Sequence, residues 1–103
     1  MIVHMVILKI RKSVAQKEIE RVFAAIGALQ AEIPGILSYS WGAYSSPEGM
    51  QRGHTHGFCM TFTDAQARDA YLPHPLHEEV KTAVLAILEG GIDGVLAFDY
   101  AAG

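Results

Sequence analysis

The sequence predicts an α+β domain in which four strands form one antiparallel sheet and both helices lie on the same face of it. Three observations carry this. Strand-like segments and segments with a three-to-four-residue apolar repeat follow one another in the order β-α-β-β-α-β. Between them stand Pro34-Gly35, a polar glycine-bearing loop and Gly90-Gly91, the residue types that end helices and turn chains. The chain has 103 residues with no linker or low-complexity tract, which fits a single domain over 1–103.

Residues 2–10 are an unbroken β-branched and aliphatic run, as expected of a strand covered on both faces. Ser13 followed by Gln16 reads as a capping box for the first helix. From Val14 to Ile33 the positions Ile19, Val22, Phe23, Ile26, Leu29 and Ile33 form one apolar stripe. Residues 36–44, ILSYSWGAY, alternate, with Leu37, Tyr39, Trp41 and Ala43 on one face and Ser38, Ser40 and Gly42 on the other. The loop SSPEGMQRG follows, and then HTHGFCMTF, 54–62, as a third strand with His54, His56, Phe58, Met60 and Phe62 on one face. Thr63 or Asp64 can cap a second helix through Tyr71, which the LPHP segment breaks because neither Pro73 nor Pro75 donates a backbone hydrogen bond. Pro75 suits the first turn of a renewed helix to about Leu88, with Glu78 and Glu79 near its positive end. GVLAFDY, 94–100, is the last strand.

This order is the ferredoxin-like arrangement. The first and third strands are expected to be central, adjacent and parallel, which would place His4 and His56 at one end of the sheet. The sheet face away from the helices has nothing in the chain to cover it. Since 50% of the residues are hydrophobic and 18% charged, a homodimer through sheet-on-sheet packing is expected. A net charge of −3, with Lys9, Arg11 and Lys12 as the only basic cluster, argues against a nucleic-acid partner. MIVHMVILKI lacks a basic leader region and is too short to cross a bilayer, so no membrane partner is expected and the run reads as a strand of the mature protein. A single cysteine, Cys59, excludes an internal disulfide and fits a buried thiol in the cytoplasm.

The chemistry concentrates in five histidines: His4, His54, His56, His74 and His77. With the crossover helix running back over the sheet, a pocket between sheet and helix could gather Tyr71 with two to four imidazoles. A neutral imidazole can take a proton from a carbon acid while a tyrosine hydroxyl polarises the adjacent carbonyl, since histidine titrates near ~6.5. Singly, each has a structural reading: His74 as a helix-start residue, His4 and His56 as satisfied buried histidines, Tyr71 as a core aromatic. His54-x-His56 with His74-x2-His77 offers nitrogens for zinc or copper, but the second pair straddles a proline break and no carboxylate is placed among them. No metal is expected. No phosphate-binding glycine motif or nucleophile elbow is present.

HMVILKIR at 4–11, IPG at 33–35, SPEG at 46–49, GHTHGFCMTF at 53–62 and RDAYLPHPLHEEV at 68–80 together resemble the stress-responsive A/B barrel domain (Dabb) family over essentially the whole chain. The resemblance implies ferredoxin-like subunits whose sheets face each other in a dimeric barrel. It also implies a cofactor-independent reaction in at least one plant member, an aldol cyclisation of a linear polyketide. Carried over by motif, Tyr71 would polarise the reacting carbonyl, His77 would act as general base, and His4 and His56 would shape the pocket. Val22 and Ile26 stand on the first helix where that cyclase has larger aromatic groups, implying a different small hydrophobic or aromatic substrate. The leading reading is an acid–base enzyme of this kind, the alternative is a non-catalytic homodimeric stress-response protein with structural histidines, and a metal-dependent enzyme trails as a third.

Overall fold

The computed structural model describes all of residues 1–103. The elements are β1 (Ile2–Leu8), α1 (Gln16–Glu32), β2 (Ile36–Ala43), β3 (His56–Phe62), α2 (Ala65–Tyr71), α3 (Pro75–Ala86), a short 3-10 turn (Gly91–Gly94) and β4 (Val95–Ala101). The second helical region is split, as the prolines require. Asp64 caps α2 by accepting the Ala67 N–H at 2.8 Å, and the His74 ring caps α3 by accepting the Leu76 N–H at 3.1 Å with Pro75 in the first turn. The expected capping box at α1 does not form. Its cap residue is Ala15, with no side-chain hydrogen bond, because the helix starts too late for Ser13 to reach its free amides.

All four strands pair antiparallel in the order β2-β3-β1-β4. This gives the ferredoxin-like α+β fold. It also corrects the direction expected for the central pair. The α1 crossover makes β1 and β2 parallel, and β3, returning from β2 through the 44–55 loop, inserts between them in the opposite sense. In the resulting register His4 faces Met60, whereas His56 faces Leu8. The two histidines share the helix-side face but lie four residues apart along the ladder, roughly 13 Å.

Two further expectations change with the local backbone. A bulge between Ile36 and Ser38 breaks the β2 alternation, so Ile36 rather than Leu37 enters the core, and Leu37 is left exposed. The strand expected from His54 begins at His56, since the His54 amide closes a turn on Gln51 O.

The core lies between the sheet and the helices, with Phe23, Phe62, Leu8, Met60 and Val22 fully buried. Each such side chain contributes about 1.5–3 kcal/mol by leaving water. Gly27 in α1 lets the Tyr39 ring lie against the helix; a Cβ there would sit 2.9 Å from it. The Tyr39 hydroxyl then donates to Phe23 O at 2.8 Å. Gly35, at φ 93° and with Ala67 where its Cβ would be, joins the α1–β2 turn closely to α2.

The other sheet face is open. Met5, Leu96, Phe98 and Tyr100 are exposed there by 37%, 51%, 64% and 48%, and Cys59 is only half-buried. The first strand is therefore covered on one face only within the chain. No helix is long and apolar enough to cross a membrane.

Candidate functional site

Between the sheet and α3 lies a mostly apolar cavity of about 200 Å³, roughly the liquid volume of seven water molecules. Its walls include Val6 of β1, Phe58 of β3, Ile26 of α1, and Val80 and Val84 of α3. Leu72, Ile92 and Ala97 are exposed lining residues, so it opens between α3 and the β4 edge. The polar side chains on its wall are His4, Tyr71, His77 and Lys81.

Tyr71 and His77 meet because the chain breaks between them. Tyr71 ends α2, the Leu72–His74 turn, closed by the His74 amide on Tyr71 O, breaks the helix, and His77 falls in the first turn of α3. The two rings lie 4.3 Å apart. Tyr71 is held at 5.0 Å by the Phe62 ring and is almost wholly buried, while its hydroxyl, unlike that of Tyr39, has no partner within the chain. Burial pushes its pKa up to about 12, so at neutral pH it is a hydrogen-bond donor.

The His77 Nδ1 is 2.8 Å from Leu72 O. A carbonyl only accepts, so Nδ1 carries the proton and Nε2 is left with its lone pair. Desolvation lowers the His77 pKa below the ordinary histidine value, outweighing the Leu72 bond and Glu78, which raise it, and Lys81 and His4 add to the lowering. The ring is therefore a neutral base at physiological pH.

His4 reaches the same cavity from β1. Its ring sits edge-on at 6.2 Å from Tyr71, 6.0 Å from Phe62 and 6.1 Å from Phe58. Its Nδ1 is 2.6 Å from Asp99 Oδ1, and Arg68 Nη1 donates to Asp99 Oδ2 at 3.0 Å. Asp99 and Arg68 are the residues that motif reasoning passed over. A signal was present, because alternation in GVLAFDY puts Asp99 with Val95 and Ala97 on the helix side. A carboxylate there needs a partner.

His4, Tyr71, His77 and Ile26 thus come together; His56 and Val22 do not join them. The antiparallel register carries His56 to the far end of the sheet. Its ring lies 6.0 Å from Phe23 and its Nδ1 2.8 Å from Thr55 Oγ1. With His54, Trp41, Tyr44 and Met50 it lines a separate, open groove of about 620 Å³ between the strands and the 44–54 loop. Desolvation lowers its pKa too. Val22, one helical turn before Ile26, is sealed in the core. His74 uses Nδ1 to cap α3, and no three His, Cys, Asp or Glu side chains converge where they could hold a metal ion.

The profile described as the Stress responsive A/B Barrel Domain (Dabb) matches residues 2–102. A stress-response A/B barrel domain-containing protein of Arabidopsis thaliana is 29% identical over 98 residues, covering 94% of this chain and 82% of the relative. Olivetolic acid cyclase of Cannabis sativa is 26% identical over 74 residues, covering 72% of this chain and 73% of that protein. Among solved structures, a dimeric ferredoxin-like protein of unknown function from Jannaschia sp. CCS1 superposes with a TM-score of 0.88 at 31% identity, covering 98% of both chains. With the profile spanning nearly every residue and the fold agreeing, the chain belongs to the stress-responsive A/B barrel domain (Dabb) family.

Proposed function

We propose that this protein is a cofactor-independent acid–base enzyme acting on a small hydrophobic carbonyl compound in the cavity between the sheet and α3. The observation that carries this is the Tyr71–His77 pair: a buried phenol with a free hydroxyl beside a neutral imidazole whose Nε2 has no partner in the chain. In this reading the Tyr71 O–H donates to the substrate carbonyl. His77 Nε2 removes a proton from the adjacent carbon, and the electron pair of that C–H bond moves into the enolate that Tyr71 stabilises. The enolate can then be reprotonated or attack a second carbonyl, as in a polyketide-type ring closure. The relative named as a cyclase supports that second course.

The enzyme is proposed to work as a homodimer through the open sheet face, where Leu96, Phe98 and Tyr100 would be covered by a second copy. The dimeric description of the Jannaschia structure supports this. A reducing, cytoplasmic setting suits the free Cys59. A role in stress response is carried by the family's name alone.

Deuterium exchange tests the chemistry. Wild-type protein in D2O should exchange the α-protons of 2-heptanone faster than buffer does, and His77→Gln should return the rate to that of buffer. Unchanged exchange in the variant would reject His77 as the base.

A second reading rests on a specific feature: the buried His4 and the half-buried Asp99 and Arg68 join β1, β4 and α2 in one chain of polar contacts, as structural histidines would. A non-catalytic dimer predicts that His77→Gln and His4→Gln lower the melting temperature with no ketone exchange in any form.

A further inference from the structure

The His4 ring makes one polar contact, from Nδ1 to Asp99 Oδ1, and is otherwise surrounded by Phe58, Phe62 and Tyr71. Asp99 is held in turn from its other oxygen by Arg68, whose Nε also binds Asp69 Oδ1 at 2.8 Å. A carboxylate only accepts, so in the neutral ring the proton sits on Nδ1 and Nε2 keeps its lone pair. The carbonyl of Leu72 does the same for His77. The wall therefore carries one phenolic donor and two imidazole acceptors in an otherwise apolar space, with Lys81 as its only cationic lining residue.

We propose that Asp99 is a positioning residue that fixes the His4 tautomer, and that the resulting pattern makes the cavity selective for small hydrophobic hydroxy ketones. The ligand's carbonyl accepts from Tyr71, its hydroxyl donates to His4 Nε2, and its α-carbon faces His77. This rests on the function proposed above and adds to it the ligand's second polar group. An acceptor fixed in an apolar wall favours a ligand that brings a donor over one that does not, because the unpaired partner stays desolvated. One neutral hydrogen bond corresponds to a preference of about fivefold.

The test combines two measurements on the full-length protein. In ligand-free, 15N-histidine-labelled protein at pH 7.5, long-range 1H–15N correlation should show His4 protonated at Nδ1 with a pyridine-type Nε2. In Asp99→Asn the amide can turn its NH2 toward Nδ1, and the proton should move to Nε2. A structural role for Asp99 alone would not produce that change. By titration, wild type should bind 4-hydroxy-2-heptanone about fivefold more tightly than 2-heptanone. Asp99→Asn turns Nε2 into a donor, which the hydroxyl can still meet by accepting. Its signature is therefore a gain for 4-methoxy-2-heptanone, an acceptor only, which wild type should bind no more tightly than 2-heptanone. A wild-type Nε2 that carries a proton overturns the proposal, and that spectrum decides the tautomer even where the variant fails to fold. A pyridine-type Nε2 that persists in Asp99→Asn overturns the positioning role alone. Equal binding of the two ketones overturns the selectivity, and binding of neither overturns both it and the function it rests on.

Discussion

Tyr71→Phe removes one oxygen atom and leaves the ring that packs against Phe62 and His77. Because that hydroxyl has no partner in the chain, its loss breaks no hydrogen bond and opens no cavity. The expected change in stability is within about 1 kcal/mol and is of either sign. Catalysis should respond far more. Removing one preorganised donor to a developing oxyanion lowers turnover by about 10²–10³-fold, or roughly 3–4 kcal/mol of transition-state stabilisation. Tyr39→Phe is the matched control. It loses a 2.8 Å bond to Phe23 O, so it should cost about 0.5–1.5 kcal/mol, or several degrees of melting temperature, and leave the reaction untouched. The assay is α-deuterium incorporation into 2-heptanone, run beside thermal unfolding on both variants. The reasoning is refuted if Tyr71→Phe unfolds several degrees early and exchanges at the wild-type rate.

Three other outcomes follow from the same geometry. The folded His77 pKa lies below its unfolded value near ~6.5, so between the two the unfolded chain holds more protons and stability rises with pH. Its destabilising effect is therefore absent above the ordinary histidine value and grows as pH falls through it. Exchange activity should likewise persist below pH 6.5 before failing, and His77→Gln should remove its share of the stability slope, both followed across pH 5–8. If the proposed dimer forms through the outer face, Phe98→Glu, at the most exposed of its aromatics, should convert it to an 11.2 kDa monomer in sedimentation, and an unshifted dimer would place the interface elsewhere. Asp64→Ala, which frees the Ala67 amide at the start of α2, should lower stability by about 0.5–2 kcal/mol in denaturant unfolding.

Much of the fold was legible from period and punctuation. The stripe of Ile19, Val22, Phe23, Ile26 and Leu29 is the buried face of α1, and the prolines place the break between α2 and α3. The parts that were not legible depend on pairing between distant segments. The direction of β3 is an exception: neighbours in the expected antiparallel sheet must run in opposite senses, so a parallel β1–β3 pair conflicts with that expectation. The antiparallel register puts His56 at the opposite end of the sheet from His4. The bulge at Leu37 is a register feature with no local residue signal of its own. Within the site, Tyr71 and His77 could be found because one short motif holds both. Asp99 was missed because its partner, His4, is 95 residues away and only the β1–β4 register puts them face to face. A carboxylate on the inward side of a strand was the available clue.

The central claim is that Tyr71 polarises a carbonyl inside the cavity, and the carbonyl itself can report it. The 13C resonance of carbonyl-labelled 2-heptanone bound to wild-type protein should lie downfield of its position in an alkane solvent, and Tyr71→Phe should bind the ketone with its carbonyl back near that apolar position. A bound ketone whose carbonyl resonates at the same position in both proteins would contradict the account.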